Sequence, residues 1–244
     1  GENHPYYATS LHNLGVLYTN MGRYTNAEPL MLKAKGIYKS QMGENHPSYA
    51  TSINNLAVLY NSMGRNDEAE PLFALSLKIR KRKLGKDHPS YAASLNNLAN
   101  HYNDIGRYAK AKPLYLKSMK IMKGQMDGHH PDYATSLNNL ASLYKTMGHY
   151  AEAEPLLLQG QQERLQQFQT VFPTLSEKEK EQFLNNFDHN FEFFHSFALK
   201  RQGGNPAITA HQYDNALLLK GLLLQSSSQM RERIHTSGDS TAIH

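Results

Sequence analysis

The stretch HPYYATSLHNLGVLYTNMGRYTNAEPL, residues 4–30, decides the fold of this 244-residue chain, because it recurs three more times. The His-Pro pair that opens it returns at His46, His88 and His130, at intervals of 42 residues. Twelve columns are identical in all four copies, and the first copy shows them as His4, Pro5, Tyr7, Ala8, Ser10, Asn13, Leu14, Tyr18, Gly22, Ala27, Pro29 and Leu30. A match at one fixed period predicts a repeat architecture. A fifth copy would begin near Phe172, where the match is lost, so the array is expected to end near residue 170.

Each copy has the pattern of two helices joined by a tight turn. Pro5 suits the first turn of a helix, where its missing N–H would have no partner in any case. Apolar residues then recur at helical spacing at Leu11, Leu14 and Tyr18. Gly22 follows them and predicts the end of this first helix.

A second helix is expected to follow in every copy. In the first two copies it opens with the spacing of a capping box, in which Thr25 is paired with Glu28 and Asp67 with Glu70. Pro29 recurs in all four copies and lies about four residues into this helix, near the limit that a first turn tolerates. The start of the second helix therefore stays open by a residue or two.

A single helical pair cannot bury its apolar face, so stacked copies must share a continuous core. Small residues at matching positions would let the helices approach closely, and they are Gly15, Ala57, Ala99 and Ala141 on the first helix and Ala27, Ala69, Ala111 and Ala153 on the second. We therefore predict an all-α fold, a right-handed α-solenoid of helical hairpins with a C-terminal helical pair as its cap. The array would occupy residues 1–170, with repeats that start near residues 1, 43, 85 and 127.

The composition changes after Pro173. Ser176 can cap a helix that begins with acidic residues. Phenylalanines then recur along one face of that helix, at Phe183, Phe187, Phe191 and Phe194. After a Gly-Gly turn, a second helix is expected over about 207–233. Because the last repeat needs its core covered, residues 171–233 are expected to form a capping pair, and the polar tail 234–244 is expected to be disordered.

The run Leu14-Gly15-x-x-Tyr18-x-x-x-Gly22-x-Tyr24-x-x-Ala27 resembles the tetratricopeptide repeat (TPR), in a 42-residue form similar to that of kinesin light chains. The resemblance covers residues 1–170 and holds in register four times. One departure is the absence of Trp near the start of the first helix, where the column contains Leu11, Ile53, Leu95 and Leu137. Leu fills the same kind of apolar hole, so the expected fold is unchanged.

The resemblance implies that one strip of each first helix faces the concave side of the array, where a peptide or a partner's helix would bind. The strip takes positions i, i+3, i+7 and i+10, which lie on one side of a helix. We call it the inner strip, and its members are Thr9, His12, Val16, Thr19, Thr51, Asn54, Val58, Asn61, Ala93, Asn96, Asn100, Asn103, Thr135, Asn138, Ser142 and Lys145. Its amides carry donors and acceptors that suit the backbone of an extended peptide. Lys145 is its one Lys or Arg, which argues against a clamp for a C-terminal carboxylate.

A second set of asparagines runs beside the inner strip, one in each copy. We call it the Asn column, and its members are Asn13, Asn55, Asn97 and Asn139. Two interpretations stay open at this point. The column either forms the edge of the groove or braces neighbouring repeats against each other.

The C-terminal segment also resembles the stretch that joins the repeats to the caspase-like domain in bacterial TPR proteins that carry a CHAT domain. The likeness lies in residues 183–194 and in Tyr213-Asp214-Asn215-Ala216-Leu217-Leu218-Leu219-Lys220-Gly221-Leu222-Leu223-Leu224, and it covers about residues 165–235. In that family the catalytic His and Cys lie downstream. The resemblance therefore implies a covalently linked peptidase domain, and no catalytic residue is carried over to this chain.

Several other classes of function are not expected. The chain has no Cys, and no nucleophile stands beside a base and an acid in a recognisable motif, so no catalytic residue is assigned. The thirteen His lack the spacing of a helical zinc site, so neither a metal nor another cofactor is expected. The net charge of +5 collects late in the second helices, as at residues 78–83, where cations complement the helix dipole, so nucleic acid is not an expected partner. The longest apolar run, 217–224, is far shorter than the about 20 residues that cross a membrane.

Taken together, these features predict a cytoplasmic protein-interaction scaffold that binds a peptide or a partner helix. By resemblance it would be the sensor part of a bacterial CHAT-type peptidase. Two alternatives stay open. A kinesin-light-chain-like adaptor would require a heptad coiled coil upstream, and an enzyme active by itself would require a cluster of acid, base or metal ligands.

Overall fold

The structure, a computed structural model, describes residues 1, 3–125, 131–176, 179 and 197. Within them the chain forms eight α-helices and one short 3-10 helix, and no strand occurs in this part. The α-helices are α1 Pro5–Asn20, α2 Tyr24–Met42, α3 Pro47–Ser62, α4 Asn66–Leu84, α5 Pro89–Asp104, α6 Tyr108–Lys123, α7 Pro131–Thr146 and α8 Tyr150–Val171, and the 3-10 helix is Phe172–Thr174. The predicted all-α class is confirmed. We number the repeats 1 to 4, from α1 and α2 to α7 and α8.

The His-Pro pair starts the first helix of a repeat. Proline takes the first helical position, and the preceding His is the N-cap residue. The Nδ1 atoms of His4, His46 and His88 accept hydrogen bonds from the backbone N–H two residues further on, at 3.2, 3.1 and 3.0 Å. Nδ1 is therefore the unprotonated nitrogen of each ring. The sequence pattern indicated the role of the proline but not that of the histidine.

A glycine ends each first helix, as predicted. Gly22, Gly64, Gly106 and Gly148 have φ between 71° and 77°, a conformation that residues with a Cβ rarely adopt. The next residue closes the turn, because the Arg23 N–H donates to the Tyr18 carbonyl at 2.8 Å. A tight αL turn of this kind brings the second helix back along the first.

The capping boxes predicted for the second helices are wrong. The N-cap residues are Arg23 and Arg65, and neither makes a side-chain cap hydrogen bond. The glycine turn is so short that helix geometry resumes directly after the arginine, two residues before the predicted caps Thr25 and Asp67. Pro29 consequently lies at the sixth residue of α2, inside the helix, where it removes one backbone hydrogen bond.

The repeats stack through a shared core. In repeats 1 to 3 the two helices of a repeat pack against each other, and α2, α4 and α6 each pack against the first helix of the next repeat. Alanines fill the tight places and are fully buried, namely Ala27, Ala57, Ala69, Ala99, Ala111, Ala141 and Ala153. At Gly15 an added Cβ would lie 2.7 Å from Cγ of Met31, so this crossing has no room even for a methyl group. These contacts make repeats 1 to 4 an α-solenoid.

The chain divides into two compact units, residues 1–164 and 165–244. The sequence-based boundary was placed at residue 170, near the end of α8. In the second unit the carboxylate of Glu179 accepts hydrogen bonds from the backbone N–H and the hydroxyl of Ser176, at 2.9 and 2.5 Å. The capping pair over 171–233 and the disordered tail over 234–244 lie almost wholly outside the described residues.

Candidate peptide-binding groove

The first helices form one wall of the array. α1 contacts α3, α3 contacts α5 and α5 contacts α7, whereas successive second helices hardly touch. The first helices therefore lie side by side along one wall of the repeats. We call this wall the inner wall, and the helices that form it carry the inner strip.

Members of the inner strip differ in their solvent exposure. Thr9 and Thr135 are exposed, and His12 and Asn54 are buried, with 7% and 3% of their surface exposed. The remaining members are half-buried. The inner strip is therefore a partly open polar surface in which two of the predicted contact residues belong to the packed interior.

A recess of about 220 Å³ opens on this wall between α3 and α5. We call it the central recess, and it is lined by Val58, Asn61, Phe73, Asn97, Asn100 and Asp104. Three of these residues are members of the inner strip and one belongs to the Asn column. The sequence identified these amides but not Phe73, which reaches the recess from the second helix of repeat 2.

A smaller recess of about 130 Å³ lies between α5 and α7. Its lining residues are Ala93, Asn96, Asn97, Ser118, Met122, Asp132, Thr135 and Ser136. Three members of the inner strip, Ala93, Asn96 and Thr135, lie together here. Met122 adds a larger apolar side chain to the lining. The two recesses follow one another along the same face of the array.

Two members of the Asn column brace neighbouring repeats. Asn55 Nδ2 lies 2.9 Å from Nε2 of His12, and Asn139 Nδ2 donates to Oδ1 of Asn96 at 3.1 Å. Both bonds connect a residue with its neighbour 43 positions away, across a joint between repeats. Because His12 and Asn96 are inner-strip residues, the bracing bonds and the inner strip form one connected polar layer.

The joint between repeats 2 and 3 lacks this bond in the described structure. Asn54 Nδ2 donates instead to Asn55 Oδ1 at 3.1 Å, and Asn54 Oδ1 is buried without a hydrogen-bond partner among the described residues. Asn97, which would complete the pair, lines both recesses. Asn13, the first member of the column, is exposed on α1.

A column on the second helices supports the inner strip and was missed by the sequence analysis. Its members are Tyr38, Arg80, Met122 and Arg164. The Tyr38 hydroxyl lies 2.9 Å from the Thr9 hydroxyl, and the guanidinium of Arg80 donates to the Thr51 hydroxyl at 2.9 Å. In repeat 3 the threonine is replaced by Ala93, and Met122 occupies the second-helix position. This paired replacement was visible in the aligned copies and could have revealed the contact.

The two arginines of that column are largely buried. Arg80 also donates to the Ser90 carbonyl and the Ser94 hydroxyl, each at 2.9 Å, and so links repeats 2 and 3. When the Asn138 amide is turned so that its oxygen faces the guanidinium, Arg164 donates to that oxygen at 2.9 and 3.2 Å. Burial lowers the pKa of Arg80, and it lowers the pKa of Arg164 to about 10.

The glutamates of the predicted capping boxes have a different role. Glu28 accepts a hydrogen bond from Arg65 of the next repeat at 2.8 Å. Glu70 accepts from the Tyr102 hydroxyl at 2.7 Å and pairs with Arg107 at 3.1 Å. The Tyr102 hydrogen bond is the main reason that the pKa of Glu70 lies below its ordinary value, and Arg107 adds to the effect. These pairs fasten successive repeats at the rim of the joint.

The described residues contain no group of three or more His, Asp or Glu that could hold a metal ion. None of the helices in this part of the chain combines the length and the apolar character that a membrane span requires.

The geometry defines a class of protein, a stack of helix–turn–helix repeats whose first helices line a polar inner wall. The model of the tetratricopeptide repeat family matches residues 6–82, 52–124 and 91–161. The chain belongs to the tetratricopeptide repeat family, and its array is a protein-interaction scaffold. Proteins with these repeats are generally not catalytic.

Solved structures show the same fold. Nearly identical TPR-like repeats from P. anserina, assigned to a kinesin light chain, match with a TM-score of 0.60 and 25% identity over 93% of this chain and 98% of that chain. A variant of those repeats matches with a TM-score of 0.60 and 24% identity over the same shares. BtubC (BKLC) from P. vanneervenii matches with a TM-score of 0.58 and 24% identity over 67% of this chain and 66% of its own. Among curated proteins, none matches the chain significantly.

Proposed function

We propose that the array binds an extended peptide of a partner protein along the inner strip. The observation that carries this proposal is the pair of successive recesses, of about 220 and 130 Å³, that open on the inner wall and are lined by inner-strip residues. Recesses at successive joints suit a ligand that runs along the array and places one side chain in each of them. Amides between the recesses can bond the ligand backbone.

The bracing bonds determine which residues can test the proposal. Asn54, Asn96 and Asn138 were the contact residues favoured by the sequence. Asn54 is buried, however, Asn96 accepts from Asn139, and Asn138 accepts from Arg164. Alanine at these positions would weaken the stack as well as the groove. Thr135, which is exposed, and Ser142, which is half-buried, are the better positions to change.

The experiment selects random peptides from a phage-displayed library against the full chain and measures their affinity for variants. A Thr135→Arg/Ser142→Arg variant places two bulky cations on the inner wall and is expected to weaken the selected peptides at least about tenfold, or about 1.4 kcal/mol. The matched control is Ala74→Arg/Ala109→Arg, which adds the same charges at exposed positions of second helices. Peptides that bind both variants equally well would refute groove binding.

We propose further that the array is the regulatory part of a bacterial, cytoplasmic peptidase with a covalently linked CHAT domain. The support is the resemblance of residues 213–224, which lie outside the described part of the structure. The sequence of the parent gene beyond residue 244 tests it directly. A downstream domain with a paired His and Cys would support the proposal, and its absence would refute it.

A kinesin-light-chain-like adaptor is the second candidate. Its support is the match to repeats assigned to a kinesin light chain, which extends over 93% of this chain. This function requires a coiled coil that dimerises the protein. The parent gene would then encode a heptad repeat upstream of Gly1, which the same sequencing experiment would reveal.

A further inference from the structure

Each of the two recesses includes one carboxylate in its lining, Asp132 in the smaller recess and Asp104 in the central recess. The floor of the central recess contains two apolar side chains, Val58 and Phe73, and its edge contains Asp104 at the last residue of α5. Neither Lys nor Arg belongs to its lining. The nearest arginine in sequence, Arg107, is paired with Glu70 at 3.1 Å.

A chain of hydrogen bonds holds this carboxylate in place. Asn61 Nδ2 donates to Asp104 Oδ2 at 2.7 Å, and Asn61 Oδ1 lies 2.7 Å from Nδ1 of His101. A carboxylate only accepts, so the Asn61 nitrogen must face Asp104, and its oxygen must therefore accept from His101. His101 is fully buried and packs against the Phe73 ring, with centroids 5.6 Å apart. The surface carboxylate is thereby anchored to the core.

This arrangement occurs in one repeat only. The positions that correspond to Asp104 in the other copies are Asn20, Ser62 and Thr146, and those that correspond to His101 are Leu17, Leu59 and Leu143. The anchored carboxylate therefore coincides with the larger of the two recesses, beside two apolar side chains. A negative charge next to an apolar surface complements a cationic side chain with an aliphatic stem.

We propose that the central recess accepts a basic side chain, Lys or Arg, of the bound peptide. The proposal rests on the peptide binding proposed above and specifies one residue of the ligand. The aliphatic stem packs on Val58 and Phe73, and the cationic head meets the Asp104 oxygen that Asn61 leaves open. An acidic side chain would be repelled here, and an apolar one would cover the carboxylate without pairing it.

The test repeats the phage selection on the full chain and on an Asp104→Asn variant, which keeps the shape of the side chain and an oxygen for Asn61. Peptides selected by the unaltered chain are expected to share Lys or Arg at one position. Synthetic versions of them should lose affinity about fivefold on Asp104→Asn, the upper end of the range for a solvent-accessible ion pair. Replacing the basic residue by norleucine or citrulline should cause the same loss, and the double change should add nothing. Asp87→Asn, an exposed carboxylate outside the recess, is the control for net charge.

The outcomes separate the two proposals. Peptides that depend on Thr135 and Ser142 but show no basic position, or bind Asp104→Asn unchanged, would overturn the basic subsite and leave groove binding intact. A selection without any groove-dependent peptide would overturn both. A third selection, against an Asp104→Lys variant, tests the charge of the subsite. If the peptide position that is Lys or Arg in the first selection becomes Asp or Glu in this one, the subsite is supported independently of the loss of affinity.

Discussion

The joint between repeats 2 and 3 and the joint between repeats 3 and 4 are built from equivalent helices but differ in chemistry. At the first, the central joint, Arg80 links Thr51 to Ser94 at 2.9 Å on each side. At the second, the last joint, the corresponding positions of Arg80 and Thr51 are Met122 and Ala93. The hydrogen-bonded arginine of the central joint is therefore replaced by an apolar pair in the last joint.

The rim of the two joints differs in the same paired way. Glu70 of the central joint is bonded to Tyr102 and Arg107, whereas its counterpart Lys112 lies over the ring of Tyr144, 5.0 Å from the centroid. In both joints a charged residue of one repeat finds a partner in the next. The comparison shows that the apolar columns define the fold and that polar columns vary in compensating pairs, which gives each joint its own surface chemistry.

The largest expected effect concerns a column of leucines that occupies the same position in all four repeats and includes Leu14, Leu98 and Leu140. Leu98 and Leu140 are 6% and 1% exposed, so Leu98→Ala and Leu140→Ala should each cost about 2–5 kcal/mol of unfolding free energy, because each leaves a cavity. Leu14, in the same column, is 40% exposed, and Leu14→Ala should cost less than about 1 kcal/mol. Urea unfolding followed by circular dichroism measures all three. An equal cost at Leu14 would contradict burial as the cause of the cost at Leu98 and Leu140.

A smaller effect is expected where the joints differ. Arg80→Met should cost about 1–3 kcal/mol, because the Ser90 carbonyl and the Ser94 hydroxyl lose their donor. In combination with Thr51→Ala, which recreates the Met122 and Ala93 pair, the cost should be lower than the sum of the single changes by about 0.5 kcal/mol or more. Met122→Leu, a change of similar volume, is the control in the last joint. If the two free-energy costs are additive in the double-mutant cycle, a direct interaction between Arg80 and Thr51 is refuted.

The smallest effect concerns pH. Burial lowers the pKa of His101 below its ordinary 6.5, so the unfolded chain binds the proton first when the pH falls. The stability that the neutral ring contributes is therefore fully present above pH 6.5 and is lost as the pH falls toward the folded-state pKa. His101→Leu, which copies Leu143 of the last joint, should change stability by within about 1 kcal/mol at pH 7 and should flatten the profile below about pH 6.5. An unchanged slope in His101→Leu would contradict the assignment.

The periodic part of the sequence predicted most of the architecture. The spacing of apolar residues within one repeat predicts each first helix. The residue that ends this helix has a positive φ, which favours glycine, so both features could be recognised from the local sequence. The capping boxes failed for a local reason as well, since the αL turn at Gly22 leaves no room for a separate cap. Glu28 and Glu70 were available for the next repeat because no cap required them.

The candidate site was only partly predictable. Helical geometry placed the inner strip, but it could not distinguish Asn54, which is buried, from Asn100, which lines a recess. That distinction depends on how two repeats meet, and the relevant partners lie 37 to 43 positions apart in the chain. The central recess additionally needs Phe73, which lies on another helix. Pairwise comparison of the aligned copies, as with Arg80 and Thr51, is the signal that could have extended the prediction.

The pairing of polar residues across joints has a consequence for how such an array can change length. Gain or loss of one complete 42-residue block keeps the leucine and alanine columns that all four copies share in register, so the fold is expected to tolerate the recombination. The same event brings new residues face to face at the junction, for example Glu70 and His149 if the third block were lost. An unequal crossover would thus change the polar side chains that meet at one joint in a single genetic step while leaving the repeated backbone intact.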